Sequence, residues 1–402
     1  MNNQNSTQIQ PLASRGMIAV LIAQFLSALA DNALLFAAIA LLKSYSAPSW
    51  QIPMLQEFFV VAFILLAPFV GPFADGFPKG RVMLIANLLK LLGASAMLMG
   101  MNPLLSYGLV GLGAAAYSPA KYGILSELVS DKYLVKANGL MEGSTIVAIL
   151  LGAVLGGKLA DSSVTIALIS ICACYLTAAT ANLMIPKLTA VKPNQSFAFM
   201  PLVRHFILAL KTLFSNKDAR LSLLGTSVFW GAGSTLRLLL VAWVPVALGI
   251  SDLSLPANLS GAVAIGIAVG AALAASLISL KNVNRVLPVG MAIGVLIMIF
   301  AHTSHLYAAI ALLILIGAAG GFYVVPLNAL LQERGHETVG AGNAVAVQNF
   351  FENCTMLALV GLYIFLESKG TPPVLSATLF GGVIFVAISI IATVRWSQKK
   401  AV

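Results

Sequence analysis

Two full charges stand where an apolar environment is expected. Arg237 falls inside the oily stretch from Phe229 to Leu248, and Asp31 falls inside residues 17–42. Helical spacing gives each of them polar company on a shared face. Gln24 and Ser27 line up with Asp31, and Ser227, Trp230 and Ser234 line up with Arg237. Tyr117 and Lys121 share a face, as do Asn138, Glu142 and Thr145, and again Gln348, Glu352 and Thr355. The carboxylates Asp31, Glu142 and Glu352 could bind a proton or a sodium ion. The neutral members serve equally well as glue between helices. For the charges the cost decides. A charge at bilayer depth costs at least about 2.5–3.5 kcal/mol, so such groups face a cavity or each other and mark a transport path.

The rest of the chain shows what must hold them. Of 402 residues, 59% are hydrophobic and only 9% charged, with a mean hydropathy of +0.96. A soluble domain is roughly a quarter charged. Apolar runs of about 20 residues predict membrane helices rather than the alternating strands of a barrel. The spans predicted are 17–42, 53–74, 82–101, 103–126, 137–160, 163–186, 220–248, 258–280, 286–301, 306–330, 339–366 and 373–395. The expected architecture is therefore an all-α integral membrane protein of twelve transmembrane helices. A tail (1–16) precedes a six-helix half (17–186), a linker (187–219), a second half (220–395) and a short tail (396–402). The polar start lacks the basic and apolar segments of a cleavable signal.

Net charge is +10, which could suggest nucleic acid. The distribution argues otherwise: seventeen of the 23 Lys and Arg fall in the loops and tails of one side and three in those of the other. That bias places both termini in the cytoplasm. Lys90, Lys121 and Arg237 fall within spans, and Lys90 is expected to snorkel or to pair inside the bundle. Cys172, Cys174 and Cys354 all lie in spans and read as small apolar packing.

The halves echo each other. Tyr117 and Pro119 in span four parallel Tyr323 and Pro326 in span ten, and Asn138 parallels Asn343, with offsets of 207 for the prolines and 205 for the asparagines. Parallel repeats of this kind place a substrate site at midplane between pseudo-symmetric halves. Gly152/Gly156 and Gly266/Gly270 have the small-residue spacing of closely approaching helices, suited either to a moving contact between halves or to static packing.

Other chemistries fail. The stretch from Gly152 to Leu159 resembles a phosphate loop, but Leu159 stands where a magnesium-binding hydroxyl is needed. His302 and His305 lack further ligands for a metal. No integral-acyltransferase His/Asp pair and no nucleophile elbow appears. Neither an enzyme nor a cofactor is expected.

Twelve spans in two halves resemble the major facilitator superfamily, as does the loop of Gly71, Asp75, Gly80 and Arg81, two residues longer than the superfamily signature. By that resemblance Asp75 and Arg81 form a conformational latch. The segments Ala23–Phe36, Ala114–Leu125, Phe229–Ala232 and Val325–Gly335 are similar to those of the bacterial lysophospholipid transporters. What this implies is a flippase in the bacterial inner membrane. It would carry lysophosphatidylethanolamine and lysophosphatidylglycerol from the outer to the cytoplasmic leaflet by alternating access. An acyltransferase/acyl-carrier-protein synthetase would re-acylate them there. On this reading Arg237 and Lys121 hold the phosphate, Asp31 with Glu142 or Glu352 holds the ammonium, and Gln24, Ser27, Tyr117, Trp230 and Gln348 line the site. The alternative within the superfamily is a proton-coupled exporter of amphipathic drugs.

Overall fold

The computed structural model describes residues 14–129, 131–186, 188–190 and 198–400. Among these the chain is helical throughout. Its helices are α1 (Arg15–Ser44), α2 (Gln51–Gly76), α3 (Lys79–Leu98), α4 (Pro103–Gly123), α5 (Leu125–Leu128), α6 (Asp131–Ser162), α7 (Val164–Leu183) and α8 (Phe199–Ser215) in the first part. They are followed by α9 (Lys217–Leu248), α10 (Ser254–Leu277), α11 (Leu287–Ala301), α12 (Leu306–Thr338), α13 (Ala341–Ser368) and α14 (Pro373–Lys400). Among the described residues eleven segments are long and apolar enough to cross a membrane. The 21-residue α4 is the twelfth of spanning length, about 31 Å at 1.5 Å per residue, and packs between α2 and α3.

Local chemistry sets the ends. Asn102 caps α4 by accepting from the amides of Leu104 (2.9 Å) and Leu105 (3.3 Å), with Pro103 in the first turn. Asn216 caps α9 in the same way, accepting from Asp218 (2.9 Å) and Ala219 (3.0 Å). α9 stops at Gly249, whose φ of +71° is left-handed and favours glycine.

The packing is two-fold. In the first half α1 lies on α6 and α7, α2 on α4, and α3 on α4 and α7. In the second half α9 lies on α13 and α14, α10 on α12, and α11 on α12 and α14. These pairings map onto one another, and the two seams between halves, α2 with α13 and α6 with α10, exchange under the same operation. α8 lies inside the predicted linker and packs against α2, α9 and α13 toward the end of the bundle where α1 begins. Its basic, Pro-containing sequence read as loop.

The glycine pairs sit elsewhere than at a moving seam. Gly152 and Gly156 bring α6 onto α1, where an added Cβ would come within 2.5 Å of the Leu29 carbonyl and 2.6 Å of Ala33 Cα. Gly266 and Gly270 bring α10 onto α12, and a Cβ on either would collide with the carbonyl of Ile314 or Ala318. Both contacts are internal to one half. Overpacking costs about 1–3 kcal/mol, so Gly270→Val is expected to lower the melting temperature in detergent clearly. Gly261→Ala, whose Cβ would meet only side chains at 3.7 Å, should leave it nearly unchanged.

The seam between α6 and α10 is closed at the bundle end opposite α8. Asp161 Oδ1 accepts from the Leu253 amide (2.8 Å), and Oδ2 accepts from the Ser254 amide (2.7 Å) and hydroxyl. One half thus caps a helix of the other. Such a cap contributes about 1 kcal/mol, equivalent to roughly fivefold in an opening equilibrium. Asp161→Ala is therefore expected to raise labelling of an Ala257→Cys thiol by a membrane-impermeant maleimide by about that factor. An unchanged rate would show that this carboxylate does not hold the seam.

Candidate functional site

A cavity of about 280 Å³ lies at mid-bundle. α1 supplies Gln24, Ser27, Asp31 and Asn32, and α2 supplies Gln56, Phe59 and Phe63. Lys90 comes from α3, Tyr107, Tyr117, Ser118 and Lys121 from α4, and Thr145 from α6. The second half adds a single lining residue, Arg237.

Asp31 does not stand free. Its Oδ2 accepts from Lys90 Nζ at 2.6 Å and its Oδ1 from the Tyr175 hydroxyl at 2.7 Å. Lys90, only 1% exposed, also donates to Ser27 Oγ at 3.0 Å and lies 4.9 Å from the Tyr117 ring centroid. Ser27 in turn donates to Asn87 Oδ1 at 2.7 Å. The spacing in α1 that singled out Gln24, Ser27 and Asp31 therefore builds one polar face, with Gln24 donating to Thr145 Oγ1 at 2.7 Å.

Arg237 is held differently. One guanidinium nitrogen donates to Asn32 Oδ1 (3.0 Å) and another to the Asn32 carbonyl (3.1 Å), while its carbon lies 5.2 Å from the Phe36 ring centroid. Nε is buried and has no hydrogen-bond partner among the described residues. Among the described residues no carboxylate pairs with this cation; its acceptors are neutral. Asn32 and Arg237 are 205 residues apart, the offset of the internal repeat. The guanidinium therefore bridges near-equivalent positions of α1 and α9 across the interface between the halves.

The electrostatic balance follows. Among the described lining residues there are three cations, Lys90, Lys121 and Arg237, against one carboxylate, Asp31. Asp31 offsets Lys90, while the acceptors of Arg237 are neutral. Phe59 continues the lining as an aromatic wall, its ring centroid 5.6 Å from Phe63 and 5.2 Å from Tyr107. Arg237, with neutral acceptors only among the described residues, gives this lining a group able to bind an anion beside an apolar surface.

Several expected residues lie elsewhere. Glu352 is 7% exposed and belongs to a separate cluster in the second half, where Gln348 donates to it (2.7 Å) and to Asn328 (2.7 Å). It therefore does not share a cavity with Asp31. Trp230 is 40% exposed and packs edge-on against Phe229, away from the cavity. The side chain of Glu142 lies outside the described residues. At the junction of α2 and α3, Asp75 in the last turn of α2 pairs with Lys79 at 3.7 Å, Lys79 also pairs with Glu127 of α5, and Arg81 in the first turn of α3 is exposed. A larger cavity of about 820 Å³ at the α8 end is lined by charges that are largely satisfied: Asp218 pairs with Arg395 (2.5 Å) and Arg334 (3.2 Å). That network ties α9, α12 and α14 together. Lys90, Asn32, Tyr107 and Tyr175 were not singled out as site residues from sequence. The 205-residue offset applied to Arg237 points directly at Asn32.

Two six-helix halves closing on a charged cavity at mid-bundle define a multi-pass membrane transporter. The family model for the Major Facilitator Superfamily matches residues 20–358. The chain is 56% identical to the lysophospholipid transporter LplT of Klebsiella pneumoniae over 389 residues, 97% of this chain and 98% of that one. It is 55% identical to LplT of Salmonella arizonae over 390 residues, again 97% and 98% of the two chains. Its fold is similar to the nucleoside transporter NupG, with a TM-score of 0.73 at 12% identity over 95% of this chain and 99% of that one. The transporter FucP gives 0.63 at 14% identity, over 94% and 98% of the two chains. The chain belongs to the Major Facilitator Superfamily and, within it, to the family of these LplT proteins.

Proposed function

We propose that the chain moves lysophospholipids, lysophosphatidylethanolamine and lysophosphatidylglycerol among them, from the outer to the cytoplasmic leaflet of a bacterial inner membrane. Both termini would be cytoplasmic, in keeping with the one-sided distribution of Lys and Arg. The observation that carries this reading is Arg237, a guanidinium bridging the two halves with no carboxylate partner among the described residues, lining a cavity. At about 280 Å³ the cavity falls at the low end of ligand sites. It suits a headgroup rather than a whole lipid, and the acyl chain leaves along Phe59 and Phe63. Arg237 and Lys121 take the phosphate. Asp31 chiefly neutralises Lys90, since both of its oxygens are already bonded. Rocking of the halves exposes the site to each side in turn. An acyltransferase/acyl-carrier-protein synthetase then uses the delivered lipid on the cytoplasmic side.

The test is purified protein in liposomes with labelled lysolipid, scored by leaflet-selective quenching. Flipping well above protein-free liposomes supports the proposal, and none refutes it. Efflux of cationic drugs through Asp31 as proton carrier fits less well, because both oxygens of Asp31 are already bonded to Lys90 and Tyr175. A cationic dye in the same liposomes should cross no faster than its leak.

A further inference from the structure

The linker helix α8 carries a surface that the transport site does not use. Its sequence holds Arg204, His205 and Lys211 and no acidic residue. One face is spent on the bundle: Leu202, Ala209 and Leu213 are buried. Phe199 packs on Phe69 of α2 (5.3 Å), while Phe206 packs on Phe350 (5.4 Å) and Phe214 on Phe351 (5.7 Å) of α13. α8 thus crosses the seam between the halves.

Its depth can be placed. Phe69 and Phe350 each lie 18 residues from the far end of their helix, Gln51 in α2 and Ser368 in α13. That is about 27 Å at 1.5 Å per residue, against a hydrocarbon core of about 30 Å. The helix resting on these rings therefore lies at the polar boundary of the bilayer.

A second stripe faces away from the bundle. Met200, Arg204, Ile207 and Lys211 recur at i, i+4, i+7 and i+11, one helical face, and all four are exposed. At that depth such a stripe suits the boundary, because the stems of Arg204 and Lys211 can lie along apolar surface beside Met200 and Ile207 while their charged heads reach the headgroups. Basic groups there draw anionic headgroups from the leaflet. We propose that this stripe docks on the leaflet at the α8 end of the bundle, with Met200 and Ile207 entering the headgroup–acyl boundary and Arg204 and Lys211 binding anionic phospholipid. The seam helix α8 is thereby tied to both halves and to the membrane. The proposal is independent of which substrate is carried.

The test uses full-length protein with Cys172, Cys174 and Cys354 replaced by serine, and a fluorophore on Ile207→Cys or, as control, on Thr212→Cys. Nanodiscs contain brominated phosphatidylglycerol or brominated phosphatidylcholine at equal mole fraction, and iodide is the aqueous quencher. The proposal expects the probe at position 207 to be quenched more by brominated lipid than by iodide, with the reverse at position 212. It expects brominated phosphatidylglycerol to quench more strongly than brominated phosphatidylcholine. With Arg204→Gln/Lys211→Gln that preference should vanish, at about fivefold in headgroup affinity per charge removed. Equal quenching by the two lipids in the protein that keeps both basic residues overturns it. So does stronger quenching by iodide at position 207, or protection that appears only when a soluble protein extract is added. Gel filtration and the melting temperature separate loss of docking from loss of fold.

Discussion

Arg237→Ala is expected to lower lysophospholipid flipping in liposomes by about 10- to 100-fold, with the protein still folded. A hydrogen bond to a charged group contributes about 1.5–3 kcal/mol, and the guanidinium loses more than one such bond to a phosphate when it is cut back. The variant should stay folded because among the described residues no buried carboxylate is stranded: Asn32 loses its partner, but its own amide still donates to the Ala28 carbonyl at 2.8 Å. Arg237→Lys should recover part of the rate, since a lysine restores the charge but not the fork. Flipping at the unmodified rate by Arg237→Ala would remove the residue from phosphate recognition.

Asp31→Ala is expected to act mainly on stability. It leaves Lys90, 1% exposed, without its counter-ion. Removing one member of a buried pair costs about 3–5 kcal/mol because the other charge is stranded. The melting temperature in detergent should fall steeply. Adding Lys90→Met should restore most of it, because an apolar side chain of similar length then fills the space. The repaired double variant also resolves the role of Asp31 in substrate binding. If Asp31 only neutralises Lys90, the double variant transports lysophosphatidylethanolamine and lysophosphatidylglycerol in the same ratio as the unmodified protein. If Asp31 grips the ammonium, transport of the ethanolamine lipid alone collapses.

Much of this could be read before any coordinates, for physical reasons. Hydrocarbon admits only long apolar helices, so the spans followed from runs of apolar residues, and charges inside them were costly enough to single out Asp31 and Arg237. Facial periodicity within α1 was equally legible, and Gln24, Ser27 and Asp31 do share the cavity. What periodicity within one helix cannot give is the partner on another. Lys90 meets Asp31 across 59 residues of chain, and no spacing rule joins α3 to α1. Glu352 illustrates the converse: its own helix face was read correctly, yet that face turns toward Asn328 through Gln348 and not toward the central cavity. The glycine pairs told that helices approach closely but not that both contacts are internal to a half. α8 was missed as a helix because its apolar residues are too few and too interrupted by Pro201, Arg204 and Lys211 for a span. Its amphipathic stripe was the available signal.

The most direct trial of the central idea is a structure of the protein with lysophosphatidylglycerol bound. The account predicts the phosphate within hydrogen-bonding distance, about 3 Å, of the Arg237 guanidinium, with the acyl chain against Phe59 and Phe63. A headgroup found instead in the cavity beside Asp218 and Arg395, with Arg237 still bonded only to Asn32, would contradict it.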